Sequence, residues 1–155
     1  MTLRLAACVL ALALTGCETS TPALTEAEVQ EFVRQYVAAS NGFDPAKAMS
    51  FIQKDEGVSS AGLGTIHRGW EAIRAATDSS FNEEVRIKLV VDNLAVTPIT
   101  ADAALAVGSM TVSSPQPIQL GRSWLSSAAG AMTLVVKRTP EGLRVIHEHY
   151  SLRPT

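Results

Sequence analysis

Apolar positions recur with two different periods along this chain, and the change comes after Phe81-Asn82. Before it, Val29, Phe32, Val33, Tyr36 and Val37 fall at i, i+3, i+4, i+7 and i+8, which is the apolar stripe of a helix. Thr25 stands at the N-cap position with Glu28 three residues on, a capping box. Ser40-Asn41-Gly42 supplies the stop. A short second helix is predicted from Asp44, with Pro45 in its first turn and Ala48, Met49, Phe51 and Ile52 as its apolar residues. The stretch 56–69 is rich in Gly and Ser and predicts one short strand around Thr65 to His67. Gly69-Trp70-Glu71-Ala72-Ile73-Arg74 then opens a third helix, expected to run to about Phe81.

After residue 82 the period drops to two. Val85, Ile87, Leu89 and Val91 alternate with Arg86 and Lys88, as in a strand with one wet side. Ala103 to Ser113 predicts a second strand after the Thr100-Ala101-Asp102 turn. Ser114-Pro115-Gln116-Pro117 is expected to break the chain, leaving Ile118 to Trp124 as a short hairpin arm. Ala128 to Arg138 predicts a long strand, Pro140-Glu141-Gly142 a turn, and Leu143 to Ser151 the last strand. Helices first and antiparallel strands afterwards argue an α+β fold, with three N-terminal helices packed on a strongly curved antiparallel sheet.

The extreme N-terminus changes what the rest means. Arg4 precedes an apolar run from Leu5 to Leu14, the pattern of a secretory signal. That run is about half the length a membrane-spanning helix needs. It leads into Leu14-Thr15-Gly16-Cys17, which resembles the bacterial lipobox and implies cleavage before Cys17 and lipidation of its thiol. The expected organisation is a signal peptide over 1–16, a lipidated cysteine and tether over 17–23, and one domain over 24–155. Cleavage removes Cys8, so the lipidated residue becomes the sole cysteine, with no disulfide or cysteine-based metal site possible. Cleavage also removes Arg4, moving the formal charge from −2 to −3. With no basic cluster, nucleic acid is not an expected partner. Glu18 rather than aspartate follows the cysteine, which points to an outer-membrane anchor facing the periplasm.

Three segments carry a further resemblance. Gly64-Thr65-Ile66-His67-Arg68-Gly69-Trp70-Glu71-Ala72-Ile73-Arg74 is similar to the strand, glycine and helix start of the SnoaL-like branch of the NTF2-like superfamily. Asp102-Ala103-Ala104-Leu105-Ala106-Val107-Gly108 resembles its acidic turn and Ala-rich strand. The run from Lys137 to Ser151, ending in His147-Glu148-His149-Tyr150-Ser151, resembles its closing hairpin, with Leu143 where many members carry Trp. The resemblance implies a cone around an apolar pocket, binding of a small, mostly apolar molecule, and homodimers formed through the sheet face. It does not fix an activity, because the superfamily includes isomerases, cyclases, dehydratases and binding modules.

Strict alternation along the closing strand groups Leu143, Val145, His147, His149 and Ser151 on one face, and Ile146, Glu148 and Tyr150 on the other. Both faces carry apolar residues, so alternation does not choose between them. The resemblance turns the histidine face toward the pocket, with His67 near its mouth. Those histidines read as polar pocket lining, as structurally satisfied side chains, as a three-histidine metal site, or as acid–base groups. Trp70, Tyr36, Met110 and Met132 complete the candidate pocket set, with plain core the alternative for each. No cofactor and no metal is expected. Asp92 and Asp102 sit at turns, so the Tyr–Asp–Asp set of a ketosteroid isomerase does not assemble. The functional expectation is a membrane-anchored binding protein; an enzyme using a pocket histidine and a protein-interaction scaffold are the alternatives.

Overall fold

The computed structural model describes residues 22–81, 86–120 and 123–154. Cys17 and the lipobox lie outside these residues, as does Val85 at the expected start of the first long strand.

Helix α1 spans Glu26–Asn41. Its capping box is complete: Glu28 donates its backbone N–H to the Thr25 hydroxyl, and the Glu28 carboxylate accepts the Thr25 N–H. Val29, Phe32, Val33, Tyr36 and Ala39 form its buried stripe. At its far end Asn41 acts as a surrogate strand. Its side-chain amide donates to the Leu89 carbonyl and its side-chain oxygen accepts the Leu89 N–H, each at 2.8 Å. That pairing occupies part of a sheet edge otherwise open to other chains. Helix α2 spans Pro45–Met49, capped by the Asp44 side chain on Lys47 N–H. Helix α3 spans Trp70–Ser80. Its entry requires a glycine, because Gly69 sits at φ 80° and a Cβ there would lie 2.8 Å from Glu56 Oε2.

Among the described residues, six strands form one sheet in the order β2-β1-β6-β5-β4-β3. They are β1 (Ser59–Gly62), β2 (Thr65–Arg68), β3 (Lys88–Pro98), β4 (Ala103–Leu120), β5 (Ser123–Thr139) and β6 (Gly142–Pro154). All neighbours are antiparallel except β1 and β6, which run parallel. Strand β1 arises in the Gly- and Ser-rich stretch where no second strand was expected. The Pro115–Pro117 segment does not end its strand. It breaks the β4–β5 register between Ser113 and Ile118, as expected where proline has no N–H to donate, and pairing resumes beyond it.

The inner face of the sheet packs against the helices. Ala104, Ala106, Met110, Met132, Leu134, Val136 and Val145 meet Val29, Val33, Met49, Ile52 and Ile73 in one core. Irregularities bend the sheet: β3 shifts register between Asp92 and Ala95, and β6 shifts opposite Val135 and Val136.

The β6 irregularity decides the site. Val135 pairs with His147, but the next residue, Val136, pairs with Val145, so Ile146 is an extra residue on β6. On its other side Val145 bridges Ile52, donating its N–H to the Phe51 carbonyl and accepting the Gln53 N–H. Alternation therefore breaks at Ile146. Val145 points inward before the bulge, and Glu148 points inward after it.

Candidate functional site

A cavity of about 320 Å³ lies between the helices and the inner face of the sheet. That volume is at the small end of ligand pockets. Its walls are mostly apolar, with Phe43, Met49, Ile73, Phe81 and Leu89 among them, and its polar lining includes Tyr36, Glu148 and Tyr150.

Those three side chains form a closed cluster. The Tyr36 hydroxyl donates to Glu148 Oε2 at 2.6 Å, and the Tyr150 hydroxyl donates to the same oxygen at 2.8 Å. The two hydroxyl oxygens stand 3.3 Å apart. Glu148 is buried, with 6 % of its surface exposed, and its Oε1 takes no hydrogen bond from the described residues. Loss of water pushes both phenols well above the ordinary tyrosine range, and the Glu148 charge pushes in the same direction. Both tyrosines therefore stay protonated and act as donors. Charge-assisted bonds of this kind are stronger than neutral ones.

Sheet register extends the site sideways. Ser60 pairs with Glu148 on one side and His67 on the other, and all three line the cavity. Glu148 and His67 thus stand two strand spacings apart, roughly 10 Å.

The structure brings Tyr36 and His67 to this cavity and places the other expected pocket residues elsewhere. His147 lies on the outer face, where its Nδ1 shares a 2.8 Å hydrogen bond with the Ser59 hydroxyl. His149 is exposed on that same face, opposite Thr133. The cause is the Ile146 bulge, which reverses the alternation. Trp70 is half-buried against the rim of the core but does not line the cavity, and Lys54 Nζ and Arg74 Cζ stand 5.0 Å and 5.8 Å from its ring centroid. Met132 is fully buried in the core, and Met110 is core beneath a shallow depression over β4, β5 and β6. Trp124 is exposed near the start of β5. The three histidines do not converge, and the described residues hold no cluster of His, Cys, Asp or Glu placed to bind a metal.

Glu148 and Tyr150 line the cavity although the sequence reading did not place them there. One signal was available: a carboxylate and a tyrosine at i and i+2 share a face, and the chain has only two tyrosines, the other being in the helical stripe.

Comparison with known proteins agrees with this architecture. A SnoaL-like domain model matches residues 29–154. An NTF2-like superfamily protein of Salmonella enterica is 19% identical with a TM-score of 0.69, covering 83% of this chain and 91% of its own. An NTF2-like family protein of Streptomyces avermitilis, provisionally named a dehydratase, has the same identity and TM-score and covers 83% and 96%. A protein of Nostoc punctiforme with a cystatin-like fold is 16% identical at a TM-score of 0.65, covering 86% and 96%. At these identities the solved structures establish the fold alone. No curated protein matches in sequence. The fold is NTF2-like, cystatin-like α+β, and the chain belongs to the SnoaL-like domain family.

Proposed function

We propose that this chain is a lipid-anchored binding protein of the bacterial cell envelope, which takes up one small, mostly apolar molecule in the cavity closed by Tyr36, Glu148 and Tyr150. The observation that carries this reading is the cavity's composition: mostly apolar walls with a few polar groups, the hydrogen-bonded Tyr36, Glu148 and Tyr150 among them, which is the arrangement that fixes a ligand's orientation. The anchor is Cys17, on the outer membrane and facing the periplasm. Among the described residues no helix is long and apolar enough to cross a membrane, and the attachment proposed is the lipid on Cys17.

Anchor and cavity belong to opposite ends of α1. Leu24 is buried and its N–H is bonded to the Ala101 carbonyl, whereas the cavity draws on Tyr36, Ser40 and Asn41. The 16-residue helix spans about 24 Å between them. A tether of a few residues holds the N-terminal end near the bilayer and turns the cavity away from it. The outer sheet face supports pairing with a second copy, since Leu105, Val107, Thr133 and Val135 form an adjacent block there.

The test is saturable uptake of a neutral, solvatochromic naphthalene dye by the full-length chain. Ala76, a wall residue, allows a filling variant. Dye binding lost in Ala76→Phe with folding retained supports the cavity; equal binding by both contradicts it.

A second reading has its own observation. Glu148 and His67 face one cavity across roughly 10 Å, room enough for a substrate between a base and an acid. It replaces the acid–base roles expected of His147 and His149, and it requires turnover of the bound molecule.

A further inference from the structure

The cavity holds a carboxyl group without a lysine or arginine partner among the described residues. Five ion pairs join described residues, and none includes Glu148. Among the described residues no lysine or arginine lines the cavity, and the titratable lining besides Glu148 consists of Tyr36, Tyr150 and His67. The nearby guanidinium of Arg86 rests over the Phe43 ring, 5.4 Å from its centroid. Withdrawing a carboxylate from water is costly unless a cation or a full set of donors replaces the lost hydration. Two phenols do so for Oε2, while Oε1 takes no donor from the described residues and is left accessible rather than sealed off.

The walls complete the pattern. Four aromatic rings line the cavity: Tyr36, Phe43, Phe81 and Tyr150. The faces of such rings attract cations, more strongly when water is excluded. Tyr36 and Tyr150 spend their protons on Glu148, so neither is left to donate to an anionic ligand. An incoming carboxylate or phosphate would meet Glu148 with no compensating charge.

We propose that the cavity selects a small lipophilic amine in its protonated form, with the ammonium group on Glu148 Oε1 and the apolar body among Phe43, Met49, Ile73 and Phe81. This rests on the cavity being the binding site, and it adds the chemical class of the ligand. Tyr36 and Tyr150 are positioning residues: by fixing Oε2 they aim Oε1 at the ligand.

The experiment compares three probes of similar size on the full-length chain at neutral pH: 2-phenylethylammonium, 2-phenylethanol and 3-phenylpropionate. The ammonium probe is expected to bind at least about tenfold more tightly than the alcohol, the worth of one hydrogen bond to a charged group. The carboxylate probe is expected not to bind. In Glu148→Gln the ammonium preference should vanish while the alcohol still binds. Should the alcohol match the amine on the unaltered chain, or Glu148→Gln keep the amine preference, the proposal is overturned and the cavity reading stands. Binding of none of the three overturns both.

Discussion

The hydroxyl of Tyr36 donates to Glu148 Oε2 over 2.6 Å, a contact that joins the first helix to the last strand across 112 positions of sequence. Tyr150 completes the cluster, and these are the chain's only tyrosines. Alkaline titration of tyrosinate absorbance therefore reports on the cluster alone. Burial raises both phenols above the ordinary value near 10, with the Glu148 charge adding to it. The folded chain should show no tyrosinate signal where the urea-unfolded chain has already titrated. The stability these tyrosines contribute is fully present below pH about 10 and is lost as pH rises toward their folded values. Glu148→Gln should bring tyrosinate formation to lower pH; an unchanged curve would count against the cluster.

The helix cap makes a prediction at the other end of the pH scale. Hydrogen bonds from the Thr25 backbone, the Thr25 hydroxyl and Arg138 lower the Glu28 carboxyl from 4.5 to about 2. A depressed carboxyl contributes stability that is present above its unfolded value and is lost as pH falls through the folded one. Glu28→Gln should flatten the loss of thermal stability between pH 4.5 and about 2. An acid profile identical to that of the unaltered chain would show the cap to be open in solution.

Core and outer face separate cleanly by substitution. Met132 is fully buried, so Met132→Ala should cost about 2–5 kcal/mol in chemical denaturation. His149 is exposed, so His149→Ala should change stability by no more than about 0.5 kcal/mol and leave dye binding intact. Loss of dye binding in His149→Ala would return the histidine face to the pocket.

The proposed anchor is testable in whole cells. Cys17→Ser should remove the chain from the membrane fraction or leave the uncleaved form. Unaltered fractionation and mobility would refute lipidation at that residue.

Most of the fold was legible because its signals are local. The Thr25–Glu28 capping box, the Asp44-Pro45 start and the alternation of Leu89 and Val91 each depend on neighbours in sequence. The site was not legible for the same reason. A bulge at Ile146 is a tertiary event, next to Val145, which pairs with Val136 on one side and bridges Ile52 on the other. One extra residue exchanges the faces of everything after it. His147 and His149 thereby turn outward, and Glu148 and Tyr150 turn inward. Strand β1 escaped notice because Ser59–Gly62 carries little β-propensity and forms between β6 and β2 through pairing alone.

The central claim is that the Tyr36–Glu148–Tyr150 face, and not the histidine face, meets the ligand. The most direct measurement is an NMR titration of the full-length chain, labelled on tyrosine and histidine rings, with 2-phenylethanol. Saturable movement of both tyrosine signals, with those of His147 and His149 unmoved, is the predicted result. Movement of the His147 and His149 signals with the tyrosines unmoved would contradict it.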